Sequence, residues 1–456
     1  MQLLKLKLPK NLIKNIFMTI RTYLIIVSTT FIHLLGSVNA QQNANQELMQ
    51  LVNKSFTYNP RINELQQQVF IQTEKIDIAK TFLLPSINAS ASYSYIDPFG
   101  KATFPLGTGV EKVIQFQPNN NLAFGLGINY QVFDFGRARA NIDKTKTEIL
   151  QSKDNVEFSK VQLAAQIATI YYSITYLKNA VTVQDSILSS LNQTKKQTEI
   201  KLKIGDALEL DVLTINSNID AEKNRKVELE NLLQKQYNVL LYSTGEKNVN
   251  QSNPDFNFSV VNNLATQEEI IKQAEENNLD FNLTKHKKVL TINEWNINKR
   301  AYYPSVNLIG NAGMRNGYQP NIDELRFNYL VGVSLNAPLF QGGRFKQQKQ
   351  LFETTTKLND LALTTLKKNY ERDIAQSLID INSYTTRLIN VKGQINQAEK
   401  VLELINTRYK NGIALQIEYI NALTILQKIK LSALNYEYQK CLAEIELTRL
   451  IGNKWW

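Results

Sequence analysis

The sequence predicts a mostly helical fold that carries a membrane β-barrel portion, built by duplication of one unit of helix, β-hairpin and long coiled-coil helix. Three observations predict it. First, the chain aligns with itself: Phe133-Asp-Phe-Gly-Arg137 on Phe340-Gln-Gly-Gly-Arg344, Gly205 on Gly412 and Gly245 on Gly452 share a shift of 207 residues. Upstream, Leu84-Pro-Ser-Ile-Asn88 and Tyr303-Pro-Ser-Val-Asn307 match at a shift of 219, so 12 extra residues fall between the matched parts of the first repeat. Second, two segments of the first repeat alternate strictly between apolar and small or polar residues, and two segments of the second repeat the pattern. Third, two very long stretches contain no proline. Self-similarity at this period marks a scaffold made by repetition, and each repeat is read separately.

The first 40 residues carry Lys5, Lys7, Lys10, Lys14 and Arg21 with no acid, then an apolar stretch from Tyr23 to Leu35, then Gly36-Ser-Val-Asn-Ala40 before Gln41. A charged start, a short apolar run and a small-residue cleavage site read as a removed secretory signal over residues 1–40. Its removal takes five positive charges from the formal +11 and leaves +6 over 416 residues. That balance is too mild to argue for nucleic acid. No later segment supplies some eighteen consecutive apolar residues, so if the mature chain enters a membrane it does so with strands.

Composition also excludes most site chemistry. Cys441 and, in the mature chain, His286 stand alone in helical patterns. Metal ligation or a Ser-His or Cys-His nucleophile needs partners that the sequence does not offer, and there is no glycine-rich phosphate loop before a helix. No enzyme, metal or cofactor is expected.

The first repeat is expected over 41–245, a linker rich in Asn, Ser and Pro over 246–265, and the second repeat over 266–456. Each repeat opens with one helix, roughly Asn45 to Thr81 and Thr266 to Ala301, ended by Pro85 and Pro304. Strands follow at about 86–97 and 121–134, and at 304–315 and 326–339. In the first, Ile87, Ala89, Ala91, Tyr93 and Tyr95 alternate with Ser86, Asn88, Ser90, Ser92 and Ser94; in the last, Phe327, Tyr329, Val331, Val333 and Leu335 are apolar and Asn328, Gly332, Ser334 and Asn336 are polar or small. Successive side chains in a strand point to opposite faces, so each strand has an apolar and a polar face. The length and pattern suit tilted membrane strands, apolar outward to lipid. Four strands cannot close a barrel, the smallest of which have about eight, and an open edge in lipid costs several kcal/mol per unpaired group. The barrel is therefore expected to be shared between protomers. The segment Asp97 to Asn120, with its prolines and glycines, is read as a surface loop that holds the 12-residue difference.

Long helices are expected at about 137–203 and 344–410, each on the order of 100 Å at 1.5 Å per residue. A seam of Leu388, Val391, Ile395, Ala398, Leu402, Ile405 and Tyr409 steps by three and four, as in a coiled coil. The first repeat is looser, with Gln184, Lys195 and Thr198 at seam positions, which a solvated or pore-facing side would explain. The helices turn back at 203–211 and 410–418, where Gly205 and Gly412 take the left-handed C-cap position. Return helices reach about Tyr242 and Leu450.

With these residues in place the chain resembles the TolC-type outer membrane efflux family, the outer membrane factors of tripartite export systems, over essentially the whole mature sequence. The most specific local match is a glycine turn followed six residues later by an acid, twice: Gly205 to Asp211 and Gly412 to Glu418. The resemblance implies a homotrimer with one twelve-stranded outer-membrane barrel continued by a periplasmic α-helical tunnel. It also implies docking to a periplasmic adaptor and an inner-membrane transporter, with the chain a passive duct for small molecules or proteins. It places the adaptor-docking turns at Gly205, Asp206, Gly412 and Ile413, and the periplasmic gate at Asp211, Tyr409, Glu418 and Asn421. Asp211 and Tyr409 correspond to residues that link neighbouring coiled coils, and Glu418 to an acidic ring that favours cations. Two departures stand out. Ala414 occupies the place of a locking arginine and Asn421 that of a second acid, which implies a weaker or differently built lock and leaves cation preference open. Ordinary capping of a helix N-terminus also accounts for Asp211 and Glu418. A periplasmic coiled-coil adaptor, which would explain long helical hairpins without a pore, is the alternative reading.

Overall fold

A computed structural model describes residues 46–105, 107, 109, 111–246, 256, 258 and 266–456. The expected signal over 1–40 and most of the 246–265 linker lie outside the described residues. In chain order the elements are α1 (46–58), α2 (Pro60–Thr81), β1 (Ser86–Tyr95), β2 (Lys101–Pro105), β3 (Glu111–Gln115), β4 (Asn120–Phe133), α3 (Arg137–Lys203), α4 (Glu209–Thr244), α5 (Gln267–Asn277), α6 (Leu279–Arg300), β5 (Ser305–Arg315), β6 (Arg326–Asn336), α7 (Arg344–Lys410) and α8 (Gln416–Ile451). They fall into two compact units. The strand unit comprises Glu64–Glu157 and Leu279–Lys367; the helical unit comprises the described residues through Asn63, Phe158–Asn278 and Lys368–Trp456.

In the strand unit, β1, β4, β5 and β6 form an antiparallel sheet in that order. The register collects the apolar residues on one face: Ala91 opposite Phe124, Phe124 opposite Met314, Ala312 opposite Tyr329. That face is open, with Tyr329 76% and Val331 74% exposed. The other face carries mostly Ser, Asn and Gly, with Ile309 and Leu330 as apolar exceptions. At its centre Gly125 lies opposite Gly313, and the strands approach so closely that a Cβ on Gly313 would stand 2.2 Å from the Phe124 carbonyl oxygen. The outer edges of β1 and β6 have no strand partner among the described residues.

The strand-to-helix corners repeat the same backbone. Phe135 and Gly136 have φ of 53° and 80°, and Gly342 and Gly343 have 58° and 75°. Glycine suits that left-handed bend, and Phe135 is the one residue with a side chain among the described residues to adopt it. Asp134 accepts the N–H groups of Gly136 at 2.8 Å and Ala138 at 2.6 Å, which satisfies free donors at the start of α3.

Two expectations are corrected. The opening helix of each repeat is broken, at Asn59 and at Asn278, which are themselves 219 residues apart. Asn59 Oδ1 caps α2 by accepting the Arg61 N–H at 2.9 Å, and Asn278 Nδ2 donates to the carbonyls of Leu450 at 2.8 Å and Arg449 at 3.3 Å at the end of α8. The C-cap glycine of each return helix sits in the break: a Cβ on Gly245 would stand 3.0 Å from the Tyr58 ring, and one on Gly452 2.8 Å from Asn278 Cα. The segment from Asp97 to Asn120 is not a plain loop either, because β2 and β3 pair within it as a hairpin. Five residues a side were too few to read against its prolines and glycines.

The core of the helical unit gathers Leu48, Ile62, Ile167, Tyr171, Leu240, Phe258 and Cys441. Trp455 packs edge-on against Phe258 at 5.0 Å and Trp456 against Phe56 at 5.6 Å. Cys441 is fully buried, and burial pushes its thiol pKa well up, with Glu444 adding to the shift. A raised pKa removes the reactive thiolate at neutral pH. Native protein is therefore expected to resist maleimide and to label fully once denatured in guanidinium; rapid native labelling, read by mass spectrometry, would contradict this burial.

Candidate functional site at the helical turns

Both helical hairpins of the helical unit turn in the same way. Gly205 (φ 84°) and Gly412 (φ 72°) follow α3 and α7 in the left-handed region. Gly205 N–H bonds Leu202 O at 3.1 Å and Asp206 N–H bonds Lys201 O at 2.9 Å; Gly412 and Ile413 repeat this on Tyr409 at 3.1 Å and Arg408 at 2.8 Å. This is the Schellman pattern, which returns the last helical carbonyls to a donor. Gly205, Asp206, Gly412 and Ile413 are all exposed.

The acids six residues on close the next helices. Asp211 Oδ2 accepts the Leu208 N–H at 2.9 Å, and Glu418 Oε2 accepts the Leu415 N–H at 2.9 Å. Each is half of a capping box, since leucine has no side-chain acceptor to reciprocate. In the single chain, therefore, Asp211 and Glu418 act as caps, and Asn421 is exposed one turn beyond Glu418. Leu208 and Leu415, at matching places, leave about two thirds of their surfaces in solvent (67% and 68%).

Tyr409 is placed differently: it is buried and joins α7 to α3. Thr198 Oγ1 donates to Thr194 O at 3.0 Å, so the Tyr409 hydroxyl is the donor in its 3.1 Å bond to Thr198. Lys201 Nζ donates to the Tyr409 carbonyl at 3.1 Å and lies 4.3 Å from the centre of its ring. Tyr419 of α8 stacks on the same ring at 5.8 Å. A cation on an aromatic face adds about 0.5–2 kcal/mol. Thr198, Lys201 and Tyr419 were missed by sequence reasoning; the seam position of Thr198 opposite a tyrosine was the available signal. Asp211 and Tyr409, paired in expectation, share no bond among the described residues.

Below this layer an apolar cluster of Ile187, Leu191, Ile215, Ile219, Ile420 and Leu423 fills the bundle. Next comes a polar layer. Gln184 (0% exposed) donates through Nε2 to Glu222 Oε2 at 2.6 Å and to Glu222 O at 2.9 Å. Gln427 (2% exposed) donates to Glu222 Oε2 at 2.9 Å and to Gln184 Oε1 at 3.0 Å. Arg225 adds a 3.3 Å contact to Glu222 Oε1. The pore-facing account of the first repeat's polar seam is thus corrected: Gln184 and Thr198 are polar because they bond to partners inside the bundle. Lys195 alone keeps a half-exposed side chain, 3.8 Å from Glu199.

No helix among the described residues is long and apolar enough to cross a membrane, and none of those residues form a cluster of three or more metal-ligating side chains. The model of the family described as outer membrane efflux protein matches residues 51–246 and 270–453. The chain belongs to that family. It is an outer-membrane protein, as its relatives are. Outer membrane protein TolC of Vibrio cholerae is 19% identical over 413 residues, covering 89% of this chain and 91% of the relative. Outer membrane protein OprJ of Pseudomonas aeruginosa is 20% identical over 421 residues, covering 90% and 84%. Among solved structures, the outer membrane protein VceC of Vibrio cholerae superposes with a TM-score of 0.73 at 16% identity, covering 90% of this chain and 97% of that one. Family membership replaces the adaptor alternative, and it agrees with the expectation of a protein that is not an enzyme.

Proposed function

We propose that the chain is the exit duct of a tripartite efflux or type I secretion assembly, a homotrimer through which small molecules or proteins leave the cell passively, driven by an inner-membrane pump reached through a periplasmic adaptor. One observation carries the reading. The sheet presents an apolar face to its surroundings, a polar face behind it, and two bare edges. Bare edges are not tolerated in lipid, and four strands are too few to close. Three protomers contribute twelve strands, polar face inward, and their long helices continue the lumen into the periplasm.

The helical turns form the periplasmic end. The exposed Gly205-Asp206 and Gly412-Ile413 turns, flanked by Leu208 and Leu415, offer the adaptor an apolar surface. Glu418 and Asn421 stand at the entrance, one acid per protomer instead of two. Ala414 cannot supply the family's arginine lock, and the Lys201–Tyr409–Thr198 link takes over its work by tying α7 to α3. Single-channel conductance in a planar bilayer tests this. The native protein is expected to conduct weakly, and Tyr409→Phe with Lys201→Ala, which removes the hydroxyl bond and the cation, is expected to raise conductance severalfold. Absence of conductance in both forms of well-folded protein would end the channel reading; equal conductance in both would end the gate.

A further inference from the structure

We propose that Arg315 and Arg326 of each protomer form an anion-binding ring at the outer mouth of the barrel, fitted to the carboxylate or phosphate groups of cargo on its way out. The inference rests on the channel reading above and adds to it a cargo chemistry and the residues that recognise it.

Across β1, β4, β5 and β6 only two residues are charged, and both are arginines. The register sets them directly opposite each other, at the end of β5 and the start of β6. Like charges opposite each other weaken a sheet, whereas an acid at either place would strengthen it. The adjacent pair, Met314 with Phe327, lies on the apolar face, so the arginines belong to the polar one. The same rung continues from Arg315 to Ala123 and from Ala123 to Ser92. These two small side chains leave room beside the guanidinium groups, and none of the four strands carries an acid to fill it.

The two guanidinium groups are held in place but not neutralised. Arg326 donates to Gln319 O at 3.1 Å and to Glu324 Oε2 at 3.2 Å, and Glu324 is itself more than half exposed. Arg315 lies over the Tyr318 ring at 5.5 Å, and its side chain makes no ion pair or hydrogen bond among the described residues. The backbone beside it is fixed. Asn316 is buried, donates to Asn120 O at 2.6 Å and accepts the Leu122 N–H at 2.8 Å. Gln319 Nε2 donates to Gln115 O at 2.8 Å, which ties the turn to β3. A guanidinium presents five donors in a planar fork that matches two oxygens of a carboxylate or phosphate. A fixed pair with one partner acid therefore keeps donors for a second anion.

The helix ends of these strands face the periplasm in the duct reading, which puts the arginine rung at the opposite, outer end. Three protomers repeat the pair around one lumen. Rings of arginine or lysine favour anions in pores, and low-dielectric walls focus their field on the passage. A basic rim can also grip lipid headgroups, but such a rim belongs on the apolar side of the sheet, and this rung is on the other.

Sided block of single-channel current in a planar bilayer tests the ring. No helix among the described residues can cross a membrane, so protein added to one chamber inserts strands first and turns its mouth to the far chamber. The probe is myo-inositol hexakisphosphate, a compact polyanion, added to the far chamber with neutral myo-inositol as control. The expected result is block of the native channel by the polyanion alone. Arg315→Gln with Arg326→Gln is expected to raise the inhibitory concentration at least about tenfold. Arg315→Gln alone keeps every bond of the turn and is expected to shift it in the same direction by less, so the ring stays testable if the double variant fails to fold. Equal block of native protein and variants overturns the ring. Equal block, together with loss in the variants of heat resistance that added lipopolysaccharide gives the native protein, overturns it in favour of a lipid contact. A native channel that conducts and is not blocked overturns the ring and leaves the channel reading standing. Native protein that is silent in the bilayer overturns both.

Discussion

Replacing Gly313 with alanine is expected to cost the folded protein at least about 3 kcal/mol and to lower its thermal unfolding midpoint in detergent by roughly 5–10 °C. The cause is backbone against backbone. An added Cβ would lie 2.2 Å from the Phe124 carbonyl oxygen and 2.6 Å from Gly125 Cα, and neither atom belongs to a side chain that can rotate away. β4 and β5 would have to separate where the ladder pairs Gly125 with Gly313, opening the ladder that joins the two repeats in a single sheet. The same change at Gly332, whose added Cβ would meet only the Ile309 side chain at 3.5 Å, is expected to stay within about 0.5 kcal/mol. Circular dichroism on heating separates the two. Equal midpoints for the Gly313 and Gly332 variants would show that the strands open freely at this point.

Glu222→Leu is expected to destabilise the helical unit by about 2–4 kcal/mol, because it strips a partner from two buried amides at once and each orphaned donor costs about 1–3 kcal/mol. Gln184 and Gln427 both donate to Glu222 Oε2, and neither has water to turn to. Changing all three residues to leucine is expected to recover most of that loss, since replacing a whole buried polar group by apolar side chains is often neutral or favourable. The second repeat has apolar residues at two of the matching places, Val391 for Gln184 and Ile429 for Glu222, while Asp220 of the first repeat stands at the place of Gln427. A midpoint for Glu222→Leu equal to native would mean that the layer carries no stability. A triple variant as unstable as the single one would mean that the layer sets helix register and not merely hydrogen-bond satisfaction.

The two hairpins, the long helices and their glycine turns were legible in the sequence, because each is signalled by residues close together in it. Period-two alternation in β1 and β4 declares both faces of a strand. The absence of proline through α3 and α7 permits an unbroken helix, and Gly205 and Gly412 mark where it must end. The broken opening helices were half legible: Asn59-Pro60 was a stop signal, since a residue before proline avoids the helical region, but Asn278-Leu279 carries none. At that break the backbone meets Gly452, which arrives from 174 positions away and lies so close that an added Cβ would stand 2.8 Å from Asn278 Cα.

The candidate site divides in the same way. By itself the sequence determined which residues stand at the turns, that Gly205 and Gly412 reverse the chain, and that Asp211 and Glu418 enter the first turn of the next helix, because capping is a contact between near neighbours. Only the tertiary structure decided what the polar residues of α3 face. Gln184 meets Glu222 and Gln427 across 38 and 243 positions, and Thr198 meets Tyr409 across 211. A polar side chain on a helix reads the same whether it looks into water or into a partner, because helical periodicity reports the direction of a side chain and not what waits there; that is settled by which helices pack, and packing is a property of the whole chain.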